Sequence, residues 1–133
     1  MGDLKEIGFV DDAYVEVLDE MGIHTVEEFM AQAADVANRS ELAVITEIPE
    51  KMLLRWAHLC EILNIPEIPG GLVHILEEAG VKEVRDFRNQ NAKHLHDKLV
   101  ELNEVKSAVD TIPSKDDIQL WMDKAARMDP KVV

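Results

Sequence analysis

His74 and Glu78 stand one helical turn apart, the spacing at which two side chains can reach one metal ion. Zinc needs three or four convergent donors, and no third donor accompanies this pair. His94 and His96 straddle Leu95, and His58 and Cys60 straddle Leu59, so on a helix each pair points to different faces. No H-E-x-x-H, C-x-x-C or clustered-Asp motif occurs. These histidines read as surface residues, and no metal or other cofactor is expected. Cys60 would need a positioned base to act as a nucleophile, and His58 lies about 200° away around a helix. The apolar run "WAHLCEIL" instead makes Cys60 a buried structural residue. The carboxylate pairs Asp11/Asp12, Glu27/Glu28 and Glu77/Glu78 fall at helix starts or on solvent faces, not opposite one another as an acid and a base would. There is no phosphate loop or dinucleotide fingerprint. No catalytic residue is expected, and the chain reads as a non-enzyme.

The elements that would position any site are set out by a repeated phrase. "LDEMGIHTVEEF" (Leu18–Phe29) returns 58 residues later as "LEEAGVKEVRDF" (Leu76–Phe87). Tyr14, Val17, Leu18 and Met21 recur at i, i+3, i+4 and i+7, as do Leu72, Ile75, Leu76 and Ala79, so each set forms one apolar helical stripe. Gly22 and Gly80 follow at once, where a left-handed residue ends a helix. Thr25 and Glu28 spell a capping box that starts the next helix. The second copy has Glu83 in place of Thr25, so its short helix should be the weaker one.

Asn91 suits the N-cap of a long helix through Leu95, Leu99, Leu102 and Val109, and Ser40 the cap of a short one. The Val44–Thr46 run is open between helix and a short extended piece. Pro49 fits the first turn of a helix, and Ser114 fits the cap of a last helix with Ile118, Trp121, Met122 and Ala125 on one face. Trp56 and Trp121 close equivalent phrases, "IPEKMLLRW" and "IPSKDDIQLW", and read as core anchors. "NIPEIPGG" is the break between copies. The tail "DPKVV" is expected to fray. The predicted fold is therefore all-α: two tandem units, 1–64 and 65–133, packed with pseudo-two-fold symmetry around a shared core, because a unit of about 60 residues is marginal alone.

Charge and composition narrow the partners. The net charge is −13. Residues 1–64 hold four Lys/Arg against fourteen Asp/Glu, and residues 65–133 hold ten against thirteen. The first unit should repel polyanions and suit a basic protein surface. A single cysteine precludes an internal disulfide. No stretch approaches the ~20 apolar residues of a membrane span, and the acidic N-terminus lacks the pattern of a signal peptide. Together these point to the cytoplasm and away from a membrane.

The two phrases, the tryptophan stretches "LLRWAHLCEILNIPEIPG" and "IPSKDDIQLWMDKA", and "LHDKLVELNEVK" between them resemble domain-of-unknown-function family 4332. The resemblance covers almost the whole chain and implies a tandem, helix-hairpin-helix-like arrangement, with no activity attached. A helix-hairpin-helix module that grips nucleic acid uses a G-x-G turn whose backbone N–H groups meet a phosphate at a helix N-terminus. Here the first such turn reads "IGFVDDAY", with Asp11 and Asp12 where a phosphate would lie and where they could cap the helix themselves. The second reads "IPEIPGGL", with Gly70 and Gly71 adjacent. The leading expectation is a protein-interaction module that binds another protein or itself. The alternative is a nucleic-acid-associated module using Gly70, Gly71, Lys82, Arg85 and Arg88, with Lys93 and Lys98 nearby in sequence but interleaved with Glu83, Asp86 and Asp97.

Overall fold

The computed structural model describes residues 2–133; Met1, counted in the first copy, lies outside the described residues. The protein is all-α. Nine helices run among the described residues: α1 (Leu4–Ile7), α2 (Asp12–Glu20), α3 (Val26–Ala33), α4 (Val36–Thr46), α5 (Glu50–Leu63), α6 (Gly70–Glu78), α7 (Val84–Arg88), α8 (Ala92–Lys106) and α9 (Lys115–Ala126). No strand forms among those residues, and one isolated antiparallel bridge joins Asp3 to Thr25. The helices group into two compact units. One holds the residues up to Cys60 together with Lys131–Val133, and the other holds Glu61–Pro130. The division falls within α5.

In the first unit, α2 stops where Gly22 adopts φ 81°. The Gly22 N–H bonds Asp19 O at 3.0 Å, and the Ile23 N–H reaches back to Leu18 O at 2.9 Å. These two bonds form a Schellman motif, which satisfies carbonyls that a helix end leaves open. Leu18 and Ile23 are both buried, so the turn also buries the apolar pair that accompanies it. Thr25 then opens α3 with a complete capping box: Glu28 N–H to Thr25 Oγ1 at 3.1 Å, and Thr25 N–H to Glu28 Oε1 at 3.0 Å. Phe29, on α3, and Tyr14, on α2, set their rings at a tilt against Trp56, with centroids 6.4 and 5.4 Å away. Trp56 is 1% exposed, and tilted ring pairs are the favoured geometry.

Four expectations for this unit are corrected, and the open one at Val44–Thr46 is settled. Asp35, not Ser40, caps α4, its carboxylate accepting from Asn38 N–H. The cap lies five residues earlier, so Ser40 falls inside the helix. Val44–Thr46 is its last turn, because the helix continues until Glu47 turns left-handed at φ 62°. Pro49 stands just before α5, and its carbonyl accepts from Met52 and Leu53. Asp11 occupies the N-cap position of α2 without a side-chain capping bond. The tail does not fray: Val132 is buried, and the Val133 N–H bonds Ala34 O at 3.1 Å.

In the second unit, the end of α6 repeats the geometry of α2. Gly80 adopts φ 99°, its N–H bonds Glu77 O, and the Val81 N–H bonds Leu76 O. The start of α7 differs. Glu83 makes no side-chain cap, and α7 is only five residues long. Part of the box survives as a bond from Lys82 N–H to Asp86 Oδ2, the counterpart of His24 N–H to Glu28 Oε1. Asn91 caps α8 through His94 N–H, but the helix ends at Lys106, where Ser107 turns left-handed, leaving Val109 outside it. Asn103 explains the early stop. Its amide donates to Val109 O at 2.9 Å and accepts from Val109 N–H at 3.1 Å, which folds residues 107–109 back. Ser114 caps α9 through Asp117 N–H, and Ile118, Trp121, Met122 and Ala125 are all buried. α7 and α8 pack on α9, and α6 packs on α8.

The loop held by Asn103 presses on α6. A Cβ built on Gly71 would lie 2.4 Å from Ala108 O, whereas one on Gly70 would meet nothing closer than Leu63 Cδ2 at 3.9 Å. Only the first position demands glycine. Gly71→Ala should therefore cost about 1–3 kcal/mol, the usual range for overpacking, while Gly70→Ala should be neutral or stabilise by up to about 1 kcal/mol. Urea unfolding midpoints of the two variants check this contrast.

Candidate interaction groove

The turn after α2 does more than end a helix. Met21, Gly22 and Ile23 line a groove of about 400 Å³ in the first unit, together with Glu28, Ala31 and Gln32 of α3 and Asn38, Glu41, Leu42 and Ile45 of α4. The sequence pattern puts Met21 on the buried stripe of α2, beside Tyr14 and Leu18. In the structure it is 42% exposed, while Ala79, its counterpart after α6, is buried. Ile45, also in the lining, is 58% exposed, and Val44 next to it in sequence is 79% exposed. No Lys or Arg lines the groove; its charged residues are Glu28 and Glu41.

The two carboxylates are not equivalent. Glu28 Oε1 accepts from both His24 N–H and Thr25 N–H at 3.0 Å. Those bonds hold its carboxyl below the ordinary range. Glu28 is thus a structural anion, committed to the turn. Glu41 is exposed on α4 and can meet a partner. His24 closes the turn from outside, with Nδ1 2.7 Å from Asp19 Oδ1. That hydrogen bond raises its pKa.

The other residues singled out in the sequence fall elsewhere. Gly70 and Gly71 open α6 behind Pro69, and the closest approach at Gly71 is to the chain's own Ala108 carbonyl. Lys82 and Arg85 are exposed but lie beyond the other end of α6, a nine-residue helix of roughly 13 Å. Arg88 is engaged: its guanidinium donates to Ala125 O at 2.8 Å and to Met128 O. It therefore secures the carbonyl end of α9. The glycine pair and Lys82 with Arg85 thus stand at opposite ends of α6.

His74 is half-buried, and Glu78 pairs with Lys106 at 3.1 Å. Among the described residues no group of three or more His, Cys, Asp or Glu side chains could hold a metal. Cys60 is fully buried, and loss of hydration pushes its thiol up to about 12, which leaves no thiolate for nucleophilic attack near neutral pH. No helix among the described residues is long and apolar enough to cross a membrane.

The opposite shifts of His24 and Glu28 give the turn a pH signature. The folded state holds the His24 proton more tightly than the unfolded chain. That contribution is full below about pH 6.5 and is lost as pH rises through the raised folded value. Glu28 works in the other sense: its contribution is full above about pH 4.5 and is lost as pH falls through the lowered folded value. Both are in place between those limits. His24→Gln should remove stability at pH 5.5 and little at pH 9, whereas Glu28→Gln should remove it at pH 5.5 and least at the lowest pH where the fold survives. Urea titrations of the two variants beside the unmodified chain, run across that pH range, check the crossing.

No curated protein and no solved structure matches this chain. A family model does, over residues 10–128, which takes in the groove, the α2–α3 turn and every helix from α2 to α9. The chain belongs to the family described as a domain of unknown function (DUF4332).

Proposed function

We propose that this protein is a non-enzymatic, intracellular interaction module built on a tandem helix-hairpin-helix-like scaffold, and that the first unit binds a cationic, partly apolar segment of another protein. One observation carries the reading: the groove is lined by the exposed apolar side chains of Met21 and Ile45, with Glu28 and Glu41 as the charged residues of its lining. Fully burying such a side chain yields roughly 1.5–3 kcal/mol, so a partner that covers both gains enough to matter. Methionine adapts to irregular surfaces, which suits a residue that must meet a partner. The acidic residues set the sign of the partner. With four Lys/Arg against fourteen Asp/Glu in residues 1–64, the surroundings attract a basic segment and speed its arrival more than they tighten its final grip.

The reading is tested by affinity capture from the source cell followed by crosslinking mass spectrometry, with the unmodified chain and with Met21→Glu and Ile45→Glu. Both variants change exposed positions and should melt within about 0.5 kcal/mol of the unmodified chain. They should lose a stoichiometric, basic partner that the unmodified chain retains, with affinity down roughly tenfold or more. Equal recovery by all three, or no stoichiometric partner for any, overturns the proposal.

A further inference from the structure

Glu41 stands three residues after Asn38 and four before Ile45 on α4, and all three line the groove. Residues three and four apart on a helix are surface neighbours, with Cβ atoms roughly 5–6 Å apart. α4 therefore gives the groove one stripe: an amide, a carboxylate and an apolar side chain, in that order along the chain. Glu41 is exposed, and so is Ile45. The anionic and the apolar member of this pair are both open to a ligand.

Of the two carboxylates in the lining, that of Glu28 is already spent. It accepts from the His24 and Thr25 N–H groups and from the Thr25 hydroxyl, and a ligand cation there would compete with the bonds that hold the turn. Glu41 makes no side-chain hydrogen bond or ion pair among the described residues. No lysine or arginine in the lining neutralises it. An apolar ligand that covered Ile45 and Glu41 together would strip water from an unpaired carboxylate, which is penalised. A ligand with a cation beside its apolar anchor avoids that penalty. The lining therefore asks for one cation at a fixed distance from one apolar side chain, not for diffuse positive charge. The backbone has little to offer. Strand addition needs a free sheet edge, and no strand forms among the described residues. The lining residues of α3 and α4 lie within helices, whose backbone groups bond one another. Recognition falls to side chains, and a partner helix presents two of them one turn apart at i and i+4.

We propose that Glu41 is the specificity-determining residue of the groove, and that the partner segment is an amphipathic helix carrying a lysine or arginine one turn from a bulky aliphatic residue, with the cation on Glu41 and the aliphatic side chain on Ile45. The inference rests on the groove reading above and adds the conformation of the partner and the spacing it must satisfy. Positive charge elsewhere on the partner speeds its encounter with the acidic first unit and does not select it.

The test uses the full chain and two alanine-rich helical peptides of about 20 residues, long enough to hold a helix in water. Both carry leucines at i and i+3 and two lysines. In the first peptide the lysines sit at i−4 and i+7, so one lies a turn from a leucine whichever way the peptide runs. In the second they sit at i−2 and i+5, on the opposite face. Titrations at low salt, followed by amide chemical shifts, should show the first peptide binding roughly fivefold more tightly, the upper range of an exposed ion pair. Glu41→Gln should erase that difference. Glu47→Gln, an equal loss of charge outside the lining, should preserve it. A difference that Glu41→Gln leaves intact overturns the proposal, as do equal binding of the two peptides to the unmodified chain and no binding of either. Met21→Glu separates the two readings. If it abolishes binding while Glu41→Gln leaves the difference intact, the groove reading stands and the assignment of Glu41 falls; if it leaves binding unchanged, both fall.

Discussion

Two backbone hydrogen bonds at the end of α2 constrain the rest of the first unit. With Gly22 left-handed, the Ile23 N–H returns to Leu18 O, and the chain reverses within three residues. That reversal turns Ile23 inward beside Leu18 and leaves Met21 facing water. It also sets Thr25 where its hydroxyl and the Glu28 carboxylate can cap α3. Adding a side chain at Gly22 would meet no neighbour; the restriction is in the backbone, since a left-handed residue with a Cβ costs roughly 1–2 kcal/mol. The groove depends on this turn, because Met21, Gly22 and Ile23 of the turn are part of its lining.

The second unit shows how far the same constraint reaches. Leu76, Gly80 and Val81 close α6 with the same pair of bonds. The polar reinforcement is arranged differently. Glu83 provides no cap for α7, and the unit relies instead on Asn103 gripping Val109 and on Arg88 gripping the end of α9. Ala79 packs inside where Met21 projects outside. The turn is common to both units, and the exposed apolar residue belongs to the first.

Much of this is legible in the sequence because it is local. Gly22, Gly80, Thr25 with Glu28, Asn91 and Ser114 act on residues within five positions, and their spacing announces the bonds they make. Sequence reasoning misleads where two signals compete or where a partner is distant. Asp35 and Ser40 both suit an N-cap, and the earlier one prevails because helix can form from Val36 onward. Val44–Thr46 has a composition that suits strand, yet no neighbouring strand is available among the described residues, and the run completes α4. The hydrogen bond from Arg39 to Val133 O is illegible because the two residues are 94 positions apart. The one sequence signal of the groove is the substitution of exposed Met21 for the small Ala79 in otherwise parallel phrases, and helical periodicity alone assigns both to the core.

The functional reading rests on an acidic, partly apolar groove placed by a rigid turn. On the proposed reading, burial would supply the gain on binding, and the carboxylates would select the sign of the partner while being screened by salt. Titration of isotope-labelled protein with a cationic amphipathic helical peptide, followed by amide and methyl chemical shifts at low and at physiological salt, tests this most directly. The account predicts shifts concentrated at Met21–Glu28 and Glu41–Ile45, with binding weakened by salt. Shifts centred on the second unit, or no shifts at low salt, would contradict it.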